Sequence, residues 1–232
     1  MSPSEPLSPR QVDHLLTLDR ARTAVELLRG LAHALRNHLQ VIALGSSLPG
    51  GSSDDRIERA IDDMSDLLQL LGQLGRHPDQ DLALAPLGPT LGMVEELSEL
   101  QRNAPALRVV VIKPDESPAV AIPQPALLQV LLNLVFNAKE ATGPGGEPVL
   151  LTAKAEPPGT VEIAIEDRGA GPEAIDPAPL SGSRAPTTHG GTGVFASRAL
   201  LERHGGALRF EPRDGGGTRT VATLPAVTPR PA

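Results

Sequence analysis

The chain has 232 residues, a formal net charge of −7 and 40% apolar residues, enough for one ordinary domain and a smaller one. Three Phe and no Trp or Tyr make its core aliphatic, and the absence of cysteine excludes disulfides, thiolate metal sites and a Cys nucleophile. No Lys/Arg block offers nucleic acid a basic face, and neither a signal peptide nor a run of ~18 apolar residues is present, so a cytoplasmic protein without membrane insertion is expected.

Residues 1–9 are Pro- and Ser-rich, and a helical pattern runs from about Pro9 to Ser47 with Ser8 and Pro9 suited to its start. Leu28, Leu31, Leu35 and Ile42 form a heptad-like stripe along it. Leu48-Pro-Gly-Gly-Ser-Ser-Asp reads as a turn, and a second helix is expected from about Asp54 to Gly75. A hairpin with one greasy face cannot hide that face alone, so pairing of two copies into a four-helix bundle is expected, hence a homodimer. The other solution is packing of the hairpin on its own C-terminal domain.

Residues 76–86 read as a linker. Beyond it, helices are predicted near Pro89–Arg102, Pro125–Thr142 and Gly193–His204. Strands are predicted near Leu107–Ile112, Val149–Ala155, Val161–Glu166, Ala207–Glu211 and Thr218–Leu224. Helices do not alternate regularly with the strands, which favours an α+β sandwich with helices on one face of a mixed sheet. Pro172–Gly190 is a long Pro/Gly/Ser/Thr stretch, the composition of a functional lid or a disordered loop.

Three motifs carry the chemistry. Asn133 and Asn137 interrupt the apolar helix Leu127–Thr142 four residues apart, on one face. A buried amide needs a partner, and two of them suit a hydrated cation and its phosphates; capping or solvent-facing amides would look the same. The alternating strand Val161–Glu166 ends in Asp167-Arg-Gly169-Ala-Gly171, a carboxylate beside glycines that admit a close ligand, or an ordinary Asp-x-Gly turn. Gly190-Gly191-Thr-Gly193 precedes a helix, where free N–H groups and the helix dipole favour phosphate; a flexible glycine linker is the alternative.

The order of these motifs, closed by Gly215-Gly-Gly-Thr218 before a strand, resembles the GHKL-type ATPase domain of sensor histidine kinases over about residues 80–225. The resemblance implies a GHKL/Bergerat-type fold binding ATP and Mg²⁺. Asn137 would hold Mg²⁺ with support from Asn133, and Asp167 would accept from the adenine amine. Gly169 and Gly171 would make room for the base, Gly191 and Gly193 would anchor the lid near the phosphates, and Thr218 would lie near the adenine. Leu28-Arg-Gly-Leu-Ala-His33-Ala-Leu-Arg-Asn37-His-Leu resembles the phospho-acceptor box of the dimerisation helices, nearest the nitrogen-regulation type. His33 would then be the acceptor, outward at position f of the stripe, and Asn37 would stand at the position tied to phosphatase activity.

The implied organisation is a dimerisation and phosphotransfer hairpin over residues 1–76, a catalytic ATP-binding domain over 77–226 and a tail over 227–232. The implied function is an ATP-dependent protein-histidine kinase that passes phosphate to an aspartate on a response regulator receiver domain. No input domain is visible, so a separate upstream sensor protein is expected. The family's acidic residue after the acceptor is Ala34 here, the usual proline is His38, and the aromatic block before the lid turn has thinned to Pro186-Thr-Thr-His189. These departures leave a phosphotransfer adaptor or regulatory pseudokinase as the competing function.

Overall fold

The computed structural model describes residues 7–45, 61, 65, 84–100, 107–114, 118–156, 158–172 and 189–227. Helix α1 spans Pro9–Gly45, and Ser8 opens it by accepting at its carbonyl from the N–H groups of Gln11 and Val12. The predicted second helix and the Pro172–Gly190 loop lie almost wholly outside the described residues; Ile61 and Ser65 are helical. After them come β1 (Ala85–Pro86), α2 (Leu87–Ser98), β2 (Val109–Ile112), β3 (Ala119–Val120), α3 (Gln124–Thr142), β4 (Val149–Glu156) and β5 (Thr160–Glu166). The chain continues through α4 (His189–Arg203), β6 (Ala207–Pro212) and β7 (Thr218–Val227).

The strands form a seven-stranded mixed sheet in the order β1-β3-β7-β5-β4-β2, with β6 also paired to β7. Only β2 and β4 run parallel among the described strands. Strand β5 shows why one face carries helices. Its Val161, Ile163 and Ile165 alternate into the core, opposite Leu224, Ala222 and Thr220 of β7. Glu162 and Glu166 point the other way, into an ion-pair lattice with Arg209, Arg213 and Arg219. Helix α3 fills the layer above the sheet, with Leu127, Val130, Leu131 and Val135 fully buried. Lys139 is also sealed in this layer, where its ammonium donates to the Ser98 carbonyl at the end of α2 at 2.8 Å. That satisfies an orphan carbonyl at a helix end. Burial holds the Lys139 pKa below its ordinary value.

Strands β1 and β3 are additions to the expected elements, and two expected features differ. Helix α4 begins at His189, so the glycine-rich stretch makes its first turns rather than a loop ahead of it. And α1 packs on its own C-terminal domain, through Leu16, Asp19, Thr23, Leu27 and Leu31. Of the predicted stripe, Leu31 faces inward while Leu28 stays 50% exposed. Both sides of α1 carry Leu at helical spacing, so periodicity alone does not say which side meets the domain.

Candidate nucleotide site

The site has two ends, set by α3 and by the β5–β7 junction. At the second end β5 runs out at Glu166, and the Asp167 N–H donates to the Thr218 carbonyl at 3.0 Å. The Asp167 side chain then folds back: its Oδ1 accepts from the N–H of Gly169 at 2.7 Å and of Thr218 at 3.2 Å. Both bonds go to one oxygen, leaving Oδ2 for an amine of a ligand. Burial raises the Asp167 pKa above the ordinary carboxylate value, opposed by those two N–H donors and by Arg213.

Glycine is required around this carboxylate. Gly217 has φ +101°, and a Cβ there would lie 2.0 Å from the Asp167 carbonyl oxygen. Gly169 sits against Ala141 at the end of α3, where a Cβ would approach to 2.7 Å, and Gly171 has φ +89°. Arg168 pins the facing turn through the carbonyls of Asp214 and Gly216 and pairs with Glu147.

At the first end, Gln129, Asn133 and Asn137 follow one another at four-residue steps, an amide ladder on one face of α3. Helix α1 covers it. The Asp19 Oδ2 accepts from Gln129 Nε2 at 2.8 Å and from Asn133 Nδ2 at 2.6 Å. The Thr23 hydroxyl donates to Asn133 Oδ1 at 3.0 Å. Gly193, inside α4, completes the surround of Asn133, its carbonyl 3.5 Å from Nδ2. Asp19 is 1% exposed. Burial raises its pKa above the ordinary value, against the pull of the two amides and Arg22.

Asn137 stands apart: its Nδ2 is buried with no hydrogen-bond partner among the described residues. Leaving such a donor unpaired costs about 1–3 kcal/mol. The atom is suited to a phosphate oxygen, and its own Oδ1 to a cation. Among the described residues no group of three His, Asp or Glu could hold a metal ion. A hard cation here would therefore take most of its oxygens from phosphates and water, the usual manner of Mg²⁺. The donor set fits such a cation.

Residues 123–228 match the family described as histidine kinase-, DNA gyrase B- and HSP90-like ATPase. The adaptive-response sensory kinase SasA of Parasynechococcus marenigrum (strain WH8102) is 30% identical over 227 residues, covering 90% of this chain and 58% of that protein. The C4-dicarboxylate transport sensor protein DctS of Rhodobacter capsulatus is 29% identical over 238 residues, covering 94% and 36%. The catalytic domain of histidine kinase ThkA aligns at 26% identity with a TM-score of 0.54, over 63% of this chain and 96% of that one. Residues 123–228 thus match this ATPase family, and the chain is similar to sensor histidine kinases along most of its length.

Its C-terminal domain has the GHKL fold, and the chain spans 58% of the length of SasA and 36% of that of DctS. Within this histidine-kinase fold, Asp167, Gly169, Gly171 and Thr218 meet at one end, while Asn133, Asn137 and Gly193 meet at the other. Gly191 lies in the first turn of α4. His33 and Asn37 lie on α1, and their side chains fall outside the described residues. Gln129, Asp19 and Thr23 are additions to the residues expected from the sequence. Gln129 carried a readable signal, since it extends the asparagine pair by one more four-residue step. Nothing local marks Asp19 or Thr23. Among the described residues no helix is long and apolar enough to cross a membrane.

Proposed function

We propose that this chain is an ATP-dependent protein-histidine kinase of a two-component system, autophosphorylating His33 and passing the phosphoryl group to an aspartate on a response regulator receiver domain. The observation that carries this reading is the pairing, in one family ATPase domain, of the orphaned Asn137 amide with the half-satisfied Asp167 carboxylate. Asn137 would hold Mg²⁺ and a phosphate oxygen, with Asn133 in support. Asp167 Oδ2 would accept from the adenine amine, beside Gly169, Gly171 and Thr218. Gly191 and Gly193 would anchor the lid near the phosphates, Gly191 with an N–H of the first turn of α4.

When bound, Mg·ATP supplies the phosphoryl group and neutralises charge on its oxygens; the chain contributes positioning. An imidazole nitrogen of His33 forms the N–P bond as the bond to the ADP oxygen breaks, and the imidazole proton must leave. Ala34 offers no carboxylate to take it, and losing a positioned base costs on the order of 10²–10⁴ in rate. Slow autophosphorylation is expected. The relay or pseudokinase alternative has less support, because a relay has no use for the amide pair or the adenine carboxylate.

A homodimer, an upstream sensor protein and a cytoplasmic setting belong to the same proposal. In support of the dimer, the side of α1 turned away from the domain carries Leu18, Val25, Leu28 and Leu39, about half exposed and on one heptad register. In that register His33 stands outside the seam. The test is incubation with γ-³²P-ATP: wild type should be labelled, and His33→Gln and Asn137→Ala should not. Equal labelling of wild type and His33→Gln would sink the kinase reading.

A further inference from the structure

We propose that α1 is a built-in competitor of the nucleotide: its Asp19–Thr23–Glu26 face occupies the amide ladder of α3, so the chain must release α1 before Mg·ATP can bind. The inference rests on the reading of Asn133 and Asn137 as the phosphate and cation end of the site.

The geometry makes the two occupants exclusive. Asn133 donates from Nδ2 to Asp19 and accepts from Thr23 at Oδ1, so α1 holds both ends of its amide and fixes the side chain. The space left beside Asn137, walled by Arg22, Thr23, Glu26, Phe136 and Gly193, is a cavity of about 10 Å³. Ligand pockets run to about 300–1,000 Å³, and about 10–15 Å³ is the least that admits one water. A triphosphate cannot share that space with α1. Charge points the same way, since Asp19 and Glu26 place carboxylates where phosphates would come.

The contact is also built to be broken. Asp19 is an ionisable group buried against amides, which repay its desolvation only in part. The outer tie between Arg203 and Asp13, at 2.5 Å, lies at the exposed edge of the interface, where ion pairs contribute little. At the far end of the buried stripe α1 crosses the end of α2 at Gly30, where a Cβ would lie 1.6 Å from the Leu100 carbonyl oxygen. One methyl group there prevents docking. The same α1 that covers the ladder carries the exposed seam and the His33 box, so a rotation of α1 driven from its outer face would free the ladder and the acceptor helix together.

The experiment is calorimetric titration of Mg·ADP into the full chain as wild type, Asp19→Ala and Gly30→Ala. Gly30→Ala raises the helix propensity of α1 while barring it from the domain. Each variant is expected to bind Mg·ADP at least tenfold more tightly than wild type. On the wild-type chain, saturating Mg·ADP should speed amide hydrogen exchange across residues 9–31, a measurement independent of how the variants fold. Wild-type affinity in both variants, or exchange in α1 unchanged by the nucleotide, overturns the proposal. Failure of all three chains to bind overturns the nucleotide reading beneath it, a result distinct from equal binding.

Discussion

The Thr218 N–H donates to Asp167 Oδ1 at 3.2 Å, tying the start of β7 to the residue that ends β5. With the Gly169 N–H on the same oxygen, the carboxylate is held through Oδ1, and Oδ2 is the oxygen proposed above to meet the adenine amine. Asp167→Asn keeps an oxygen for both N–H groups and replaces the other with an amide nitrogen. The variant is expected to fold with an unchanged or raised melting temperature, because it relieves a buried charge whose pKa burial has already raised. Its affinity for ATP should fall at least tenfold, since a hydrogen bond to a charged group contributes about 1.5–3 kcal/mol. Inosine triphosphate, with a carbonyl in place of the amine, should recover part of that loss. Calorimetry with the two nucleotides checks both statements.

Gly217 is the covering turn's fixed point. Its φ of +101° and its approach to the Asp167 backbone leave no room for a side chain. Gly217→Ala is expected to cost about 1–3 kcal/mol through backbone strain alone, with more from the contact at Asp167. A lower urea midpoint together with weaker nucleotide binding is the expected pair. Loss of stability without loss of binding would show that Asp167 tolerates movement of the turn.

The ATPase domain was legible in the sequence because its motifs sit where local rules are strong. Asp167 ends an alternating strand, and the asparagines interrupt an apolar helix whose bounds were placed to within a residue, at Gln124–Thr142. Strands β1 and β3, at two residues each, are too short to show a period. The placement of α1 was not legible for a different reason. Asp19 and Thr23 look like solvent-facing residues of an amphipathic helix, and only Gln129 and Asn133, more than a hundred residues away, turn that face inward. The partner that a buried Asn133 requires was foreseeable; its identity was not, because it is a tertiary contact without local signature. The glycine-rich stretch expected ahead of α4 lies within it, since Gly190 to Gly193 make its first turns.

The polar face of the sheet gives a pH-dependent prediction. Burial works against the charge on Glu162, but hydrogen bonds from Arg219 at 2.6 Å and Arg209 at 2.7 Å outweigh it and hold its pKa below the ordinary 4.5. A carboxylate depressed by folding stabilises the fold fully above its unfolded pKa, and the contribution is lost as pH falls through the folded value. Glu162→Gln should therefore lower stability at pH 7 by on the order of 1 kcal/mol, a modest figure because solvent screens the half-exposed Arg209. The gap between wild type and variant should narrow at acidic pH, below the ordinary carboxylate range. Urea unfolding at pH 7 and at acidic pH reads it directly.

The outer face of α1 tests the dimer. Leu18, Val25, Leu28 and Leu39 are 47–54% exposed although each is large and apolar, and steps of seven, three and eleven residues put them on one seam. Burying the remaining half of each is worth roughly 1 kcal/mol per side chain. Two copies would bury eight such side chains, which favours a stable pair over an exposed stripe. Charge at the centre of the seam removes that gain and adds repulsion between identical residues across the two-fold axis. Val25→Glu combined with Leu28→Glu should therefore weaken self-association on the order of a hundredfold, read by light scattering across a dilution series. Because neither residue touches the domain core, the melting temperature of a dilute sample should barely change. Wild-type chain that stays monomeric at every concentration would remove the seam's role and with it the dimer.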